Sequence, residues 1–158
     1  MKQKKTIGRA VQIDFLDYGI TNVIAKVDTG ADLNSIWATN IIESKQGLSF
    51  TLFGDTSPYH NGLVIAVKPG EYKLKNIENS FGANEPRFVV KLRIKVGGRI
   101  VKSAFTLADR SKKTYPILLG RKLLNGKFIV DVSEGTPLVE EEKRKRKLLH
   151  IALGEEEG

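Results

Sequence analysis

Short segments that alternate apolar and polar residues follow one another along most of this chain and restrict its fold more than any other feature. The clearest covers residues 87–96, and Gly97-Gly98 then forms a tight turn into residues 99–107. Because almost no helical pattern precedes residue 121, the sequence predicts an all-β sandwich or barrel of many short strands. The other strand candidates are residues 7–16, 20–27, 49–53, 61–67, 72–77, 115–120 and 127–132, and residues 33–42 as a short strand with a helical turn.

Helix is predicted only towards the C-terminal end. Residues 121–125 can form a short helix with Gly126 as its C-cap. Within residues 134–158, the acidic residues 140–142 lie four positions before the basic residues 144–146, and this spacing supports a helix by a few tenths of a kcal/mol per pair. A frayed, solvated tail is the equal alternative.

Length and charge divide the chain into one domain and a tail. The 158 residues suit a single domain at residues 1–133, followed by a charged tail at residues 134–158. The tail has seven acidic and five basic residues, whereas the domain has 21 basic and 11 acidic residues, a net charge of +10. A body this basic attracts nucleic acid or acidic peptides, unless its excess charge is only a solvated surface.

Several classes of protein are excluded by the composition. No apolar run approaches the ~20 residues of a membrane span, and the basic residues 1–9 are not followed by the apolar segment of a signal peptide. The absence of Cys removes disulfides, thiolate metal sites and a Cys nucleophile. We therefore expect a cytoplasmic protein with no membrane partner.

The segment Val27-Asp28-Thr29-Gly30 is the strongest candidate for chemistry. An apolar run leads into a carboxylate, and a hydroxyl and a Gly follow at once, so a strand is predicted to end where Asp28 begins a turn. A carboxylate held beside a hydroxyl and backbone N–H groups suits general acid–base catalysis. The same tripeptide also occurs as an ordinary turn, so the rest of the chain has to decide between the two interpretations.

Three stretches, in this order, resemble the retropepsin-like aspartic proteases. Residues 27–32 resemble their active-site loop, residues 80–82 lie where that family has its flap hairpin, and residues 117–124 resemble their apolar-apolar-Gly signature. The resemblance implies a closed β-barrel of the acid protease fold, with one short helix after the Leu-Leu-Gly block and a charged tail that is helical or disordered. Gly120 then lets one backbone pass close behind the active-site loop, unless it merely ends a strand.

A closer resemblance is to a family labelled ATP-dependent zinc proteases, which often accompanies RimK-type glutamate ligases. The similarity covers about residues 5–133. It departs at residues 32–34, Asp-Leu-Asn, where members commonly have basic or small residues, and this departure concerns substrate preference. The matching blocks are residues 26–31, residues 80–89, and Asp109-Arg110 with residues 115–121.

The zinc and ATP of that label have no counterpart in the sequence. It has no His-Glu-x-x-His, no Cys and only two histidines, His60 and His150, whereas zinc takes three or four clustered ligands. It also has no Gly-x-x-x-x-Gly-Lys loop to cradle phosphates. We therefore predict no metal and no cofactor.

Aspartic protease chemistry requires two carboxylates that share one proton beside a water molecule. This chain has a single Asp-Thr-Gly and no Asp-Ser-Gly, so we predict a symmetric homodimer that brings two Asp28 side chains together. The resemblance implies Asp28, Thr29 and Gly30 as catalytic residues, with the Thr29 hydroxyl tying the two loops together. The less favoured candidates for the second carboxylate are Asp32, Asp109 and Asp131.

The implied substrate is an acidic, Glu-rich peptide or protein tail. Arg87, Arg110 and Arg121 suit carboxylate recognition, although each can instead pair with an internal acid, for example Arg121 with Asp109. The chain is thus predicted to be an aspartic-type peptidase or amidase. A non-catalytic binding or adaptor module is the alternative, and nucleic acid is the least favoured partner because the aromatic residues form no stacking array. The predicted substrate-binding residues are Ala31, Asp32, Ser80, Gly82, Arg87 and Arg121.

Overall fold

Strands make up most of the ordered elements in the computed structural model, which describes residues 3–79 and 81–154. Both helices of the described residues follow residue 120, as the sequence predicts. In chain order the elements are β1 (Lys5–Ile7), β2 (Ala10–Phe15), β3 (Ile20–Val27), β4 (Asn34–Ser44), β5 (Gly47–Leu52), β6 (Val64–Val67), β7 (Tyr72–Glu78), β8 (Asn84–Val96), β9 (Arg99–Ala108), β10 (Ile117–Leu119), α1 (Arg121–Leu124), β11 (Phe128–Val130) and α2 (Val139–Ala152).

Six of these strands close into a barrel. Their order is β10-β3-β2-β8-β9-β4, and β10 then pairs with β4 to complete the ring. The sheet is mixed, because β10 runs parallel to β3 and β4 runs parallel to β9, while the other pairs in the ring are antiparallel. β5 and β6 extend the sheet beyond β4, β7 pairs with β8, and β1 pairs with β11 in a separate sheet. The predicted all-β closed barrel of the retropepsin-like type is therefore confirmed.

Alternate residues of each long strand fill the barrel interior. Along β8, Val90, Leu92, Ile94 and Val96 are buried, whereas the Lys and Arg residues between them are exposed. Burying an aliphatic side chain of this size contributes roughly 1.5–3 kcal/mol relative to leaving it in water. The period-two pattern therefore determines which face of the strand points inward, and the charged face remains in solvent.

One local prediction, the helical turn within residues 33–42, is wrong. β4 continues as a strand from Asn34 to Ser44. The irregularity is instead a shift in its pairing with β5, beside Asn40, which has a φ of +53°. Asn tolerates this left-handed conformation better than most residues, so a β-bulge forms where the sequence indicates a turn.

The first predicted strand, residues 7–16, is divided in two at Gly8. β1 leaves the barrel to pair with β11, and β2 joins the barrel. A Cβ atom added at Gly8 would lie 2.2 Å from backbone atoms of Glu134, so the segment after β11 crosses closely over this point. The alternation alone does not reveal the break, because the crossing segment is more than 120 residues away in the chain.

The short helix predicted after the Leu-Leu-Gly block is confirmed as α1. Gly126 lies one residue beyond its C-cap, Asn125, with a φ of +75°, a conformation that favours Gly at a helix end. The last strand is shorter than predicted, since β11 ends at Val130. Asp131 therefore lies in the turn that follows and not in a strand.

The tail forms helix α2, which lies on the barrel surface, so the helical alternative is the correct one. None of its residues is buried, yet its first turn is bonded to the barrel. The Tyr115 hydroxyl donates to Glu142 Oε1 at 2.6 Å and accepts from the Leu138 N–H at 2.9 Å, and Arg9 lies 3.3 Å from the Glu142 carboxylate. Among the described residues no helix combines the length and apolar character needed to span a membrane.

We expect α2 to loosen from the barrel as the pH falls, because a carboxylate holds it there. The hydrogen bond from Tyr115, and then that from Arg9, lowers the pKa of Glu142 below its ordinary value of 4.5. A carboxylate with a lowered pKa stabilises the folded contact above its ordinary pKa and loses this effect as the pH falls through the lowered pKa. A spin label on a single Cys introduced at Arg146 would report the mobility of α2 between pH 7 and pH 3.

The matched control is Glu142→Gln, which keeps an acceptor for Tyr115 but has no carboxylate to titrate. Its spin-label spectrum should show a more mobile helix already at pH 7 and should change little down to pH 3. Equal pH-dependent loosening in both proteins would contradict this role of Glu142.

Candidate active site

The backbone around Asp28 holds its carboxylate at the edge of the barrel. The Asp28 N–H donates to the Leu119 carbonyl at 2.8 Å, which continues the parallel pairing of β3 with β10 by one residue. The loop then turns back, because the Gly30 N–H donates to Asp28 Oδ1 at 3.0 Å and the Ala31 N–H donates to the Asp28 carbonyl at 3.2 Å. Asp28 is half-buried, whereas Thr29 and Gly30 are exposed. The predicted strand end and turn are therefore present.

Behind this loop, Asn34 and Gly120 join three segments of the barrel. Asn34 is 1% exposed, and its Oδ1 accepts the Gly120 N–H at 2.8 Å while its Nδ2 donates to Ser103 Oγ at 2.9 Å and to the Ala104 carbonyl at 3.0 Å. A Cβ atom at Gly120 would lie 2.7 Å from the carbonyl oxygen of Leu33. The close passage predicted for Gly120 is thus confirmed, whereas Asn34 was not predicted to have a role. Its only signal in the sequence is a polar residue at the start of an apolar strand.

Arg121, the first residue of α1, holds the same loop in place. Its Nη1 donates to the carbonyls of Gly30 at 2.8 Å and Thr29 at 3.2 Å, and its Nη2 lies 3.9 Å from the Asp32 carboxylate. The alternative pairing of Arg121 with Asp109 is therefore wrong. Two of the predicted substrate-binding residues, Asp32 and Arg121, contact each other, and Arg121 also holds the backbone of the predicted catalytic loop.

A groove with a volume of about 1050 Å³ runs beside Asp28. The hairpin of β7 and β8 borders it at the position predicted for a flap, and the tip residue Phe81 is 93% exposed. Gly82 lies in the turn of that tip, with a φ of +78°, and is not among the residues that line the groove. The predicted substrate-binding residue Ser80 lies outside the described residues. The other predicted substrate-binding residues, Ala31, Asp32, Arg87 and Arg121, all line the groove.

Positive charge predominates in this groove. Six basic side chains and four acidic ones line it. Arg110 is held by its Nε, which donates to the Tyr115 carbonyl at 2.9 Å. Burial, and then the charge of Arg87, lowers the pKa of Arg110 to about 10, while Asp28 acts in the opposite direction, so Arg110 is cationic at neutral pH. The basic residues are Lys26, Lys75, Arg87, Arg110, Lys113 and Arg121, and the acidic ones are Asp28, Asp32, Glu78 and Glu142.

The three alternative second carboxylates all bond elsewhere. Asp32 pairs with basic side chains of α1, Asp109 accepts the Ser111 N–H at 2.9 Å, and Asp131 accepts the Ser133 hydroxyl at 2.6 Å. Asp109 and Asp131 do not line the groove. Within residues 3–79 and 81–154, no other carboxyl group is hydrogen-bonded to Asp28. Asp28 therefore has no carboxyl partner among the described residues of one chain.

The donor set of the described residues does not fit a zinc site. Zinc takes three or four clustered N, S or O ligands. In the part of the chain that the structure describes, no three His, Asp or Glu side chains lie close enough together to hold a metal ion. No step of the chemistry below involves a metal.

Comparison with known proteins gives relatives for this barrel and its loop. Two curated relatives are both named probable alpha-L-glutamate ligase. The one from Shewanella pealeana is 32% identical over 134 residues, and the one from Desulfotalea psychrophila is 30% identical over 131 residues. The matches cover 83% and 81% of this chain but only 29% and 28% of those proteins, so the chain spans less than a third of their length.

A solved structure is matched over nearly its whole length, and a family model also matches. The crystal structure of a Legionella pneumophila protein of unknown function has a TM-score of 0.65 and 26% sequence identity, covering 84% of this chain and 97% of the other. The model of the RimB-like family, described as retropepsin-like aspartic endopeptidase RimB, matches residues 8–138. That range contains the barrel, the Asp-Thr-Gly loop and the first contacts of the tail, so the chain belongs to the RimB-like family of retropepsin-like aspartic endopeptidases.

Proposed function

We propose that this protein is an aspartic-type peptidase or amidase that acts as a homodimer on amide bonds in Glu-rich peptides or protein tails. The observation that carries the proposal is the position of Asp28, held by its own loop at the edge of a groove in which cations outnumber acids. The family match supports peptidase chemistry. The absence of Cys from the sequence suits a reducing, cytoplasmic location.

The homodimer is proposed because the chemistry needs a second carboxyl group. Asp28 has no hydrogen-bonded carboxyl neighbour among the described residues, and its loop is partly exposed. A two-fold axis beside this loop would bring the same loop of a second copy against it, in an isologous interface. The exposed Thr29 side chain is then positioned to bond across that axis.

In the proposed reaction the two Asp28 carboxyl groups share one proton, as in aspartic proteases generally. The ionised group accepts a proton from water, and the water oxygen forms a bond to the amide carbon. The protonated group donates its proton to the amide oxygen. Collapse of the neutral diol intermediate then breaks the C–N bond: the protonated carboxyl gives its proton to the leaving nitrogen, and one hydroxyl of the diol gives its proton to the ionised carboxylate as the new carbonyl forms.

An acidic substrate is proposed from charge and from the relatives. Arg87, Arg110 and Arg121 provide guanidinium groups, which bind carboxylates with paired hydrogen bonds. The curated relatives that match this chain are named probable alpha-L-glutamate ligases. A glutamate-rich chain therefore suits both the positive charge of the groove and the name of these relatives.

The direct test is hydrolysis of an oligoglutamate peptide, followed by mass spectrometry, with an oligoglutamine peptide of equal length as the control. We expect cleavage of the glutamate peptide at a rate at least about tenfold higher, because loss of a charge-assisted hydrogen bond costs roughly that factor. Sedimentation under the assay conditions should show a dimer. Failure to hydrolyse either peptide, or full activity as a monomer, would contradict the proposal.

A non-catalytic binding module is the second candidate. It is favoured by one observation, that the matching region forms less than a third of much longer relatives named as ligases, to which it could present an acidic chain. This function predicts oligoglutamate binding without turnover and equal affinity in the wild type and in Asp28→Asn. Turnover that depends on Asp28 would exclude it.

A further inference from the structure

Two buried polar atoms lack a hydrogen-bond partner within the described part of the chain, and both belong to residues that line the groove beside Asp28. They are Ser35 Oγ and Arg87 Nε. Ser35 is only 7% exposed, and the Arg87 side chain is 18% exposed. Because buried polar groups in native proteins are nearly always paired, two such atoms in residues that line one groove indicate a polar occupant.

The strand register places these residues on the face of the barrel that also presents Asp28. Ser35 of β4 pairs with Thr106 of β9 and with Leu118 of β10, and Leu118 pairs with Lys26 of β3. Asp28 lies two residues beyond Lys26, so both point to the same side of the sheet. Ser35 therefore lies two strands away from the strand that carries the candidate catalytic carboxylate.

The same register extends towards Arg87. Thr106 pairs with Val89 of β8, and Arg87 lies two residues before Val89 on the same face. A row of paired residues thus runs from β3, which leads to Asp28, through Ser35 of β4 to β8, which carries Arg87. Arg110 follows β9 and lines the same groove as Arg87 and Asp28, and the charges of both act on its pKa.

Nearby carboxylates balance the charges of the Arg87 and Arg110 guanidinium groups only in part. Arg87 Nη2 bonds to Glu85 at 3.0 Å, and the Glu85 side chain is half exposed. Among the described residues, the hydrogen-bond partner of Arg110 is the neutral carbonyl of Tyr115, and the two Arg charges repel each other. A partly buried pair of like charges, countered in part by the half-exposed Glu85 and by Asp28, is stabilised by a further anion.

We propose that Ser35, Arg87 and Arg110 form a binding site for one carboxylate of the substrate, at a fixed distance from Asp28. The inference rests on the proposed function and identifies the position that would make the enzyme selective for acid. Ser35 lies two strand spacings of ~4.8 Å from the strand that leads to Asp28, a distance that about three residues of an extended peptide span at ~3.3 Å each. These are binding residues, distinct from the catalytic Asp28.

The test measures binding of an oligoglutamate peptide to full-length protein that carries Asp28→Asn, by titration calorimetry. Adding Arg87→Met or Arg110→Met should raise Kd by about tenfold or more, and Ser35→Ala by a smaller factor. The matched control is Arg93→Met on the same strand, because Arg93 pairs with Asp17 at 2.6 Å away from the groove. It should change Kd by less than about twofold.

Folding has to be separated from binding in the Arg110 variant, since Arg110 also bonds to Tyr115. Arg110→Lys keeps the charge and loses the fork, so it should recover part of the affinity lost in Arg110→Met. The thermal midpoint of each variant should match that of the Asp28→Asn parent. Equal Kd values in Arg87→Met, Arg110→Met and Arg93→Met would overturn the proposal.

Peptide variants show which carboxylate occupies the site. A peptide with a C-terminal amide that loses affinity identifies the terminal carboxylate, whereas one Glu→Gln substitution that loses affinity identifies a side chain at a defined position. Binding is measured without turnover, so the two proposals can fail separately. If oligoglutamate binding depends on Arg87 and Arg110 but the wild-type protein never cleaves the peptide, the peptidase function is contradicted and the carboxylate site is supported. Cleavage that depends on Asp28 but not on Arg87 or Arg110 would support the peptidase function and contradict the carboxylate site.

Discussion

Replacing Asp28 with Asn should lower the rate of amide hydrolysis by about 10²–10⁴-fold, the range expected for loss of a general acid–base group, without unfolding the protein. The Asn side chain keeps an oxygen that can accept the Gly30 N–H now bonded to Asp28 Oδ1 at 3.0 Å. It cannot share or transfer the proton. The measurement is kcat for oligoglutamate, together with the thermal midpoint of both proteins.

The matched control for this prediction is Asp131→Asn, the same chemical change in the turn after β11. Asp131 is exposed to solvent in part, bonds to Ser133 and does not line the groove. Its substitution should leave kcat unchanged. An active Asp28→Asn protein, or an Asp131→Asn protein that loses as much activity, would remove Asp28 from the mechanism.

The second large effect is expected at Asn34, where Asn34→Ala should lower the free energy of unfolding by about 3 kcal/mol. The substitution removes three hydrogen bonds and leaves the buried Gly120 N–H without its acceptor. Each lost bond costs about 1 kcal/mol, and an unpaired buried group costs roughly 1–3 kcal/mol. Urea denaturation at constant m-value measures the change.

Asn76→Ala is the control for this stability prediction. Asn76 lies on β7 with an exposed side chain, so its replacement should alter the free energy of unfolding by less than about 0.5 kcal/mol. If Asn34→Ala were equally mild, the network behind the Asp28 loop would not hold the three segments together as described.

The sequence predicts those parts of the fold that depend on local pattern. Alternation along residues 87–96 indicates both the strand and its buried face, and the β-branched run before Asp28 indicates a strand end. The short helix after Gly120 and the hairpin at the predicted flap follow from similar local signals. Each depends on residues within about one turn or one pleat of each other.

Other parts could not be predicted because they depend on residues distant in the chain. The bond from Gly120 to Asn34 joins residues 86 positions apart, and the bond from Tyr115 to Glu142 that docks α2 joins residues 27 positions apart. No periodic pattern encodes such a pair. The tail therefore looks equally suited to a helix and to a frayed end until Tyr115 is placed beside it.

The candidate site divides in the same way. Asp28 and its turn follow from a tripeptide, whereas the proximity of Ser35 to the groove requires the parallel register of β4 with β9. The pairing of Arg121 with Asp32 also follows from the fold, because α1 begins directly behind the loop. Assigning partners to an Arg from sequence alone fails when several acids of similar spacing are available.

In the proposed enzyme, two chains contribute one Asp28 each to a single reactive centre. The most direct measurement mixes wild-type subunits with Asp28→Asn subunits, allows them to exchange, and follows oligoglutamate hydrolysis. If the centre is shared, the rate should fall with the square of the wild-type fraction, to about one quarter when half of the subunits carry Asp28→Asn. A linear fall, to about one half, would show that each subunit works with its own carboxylates and would contradict the account.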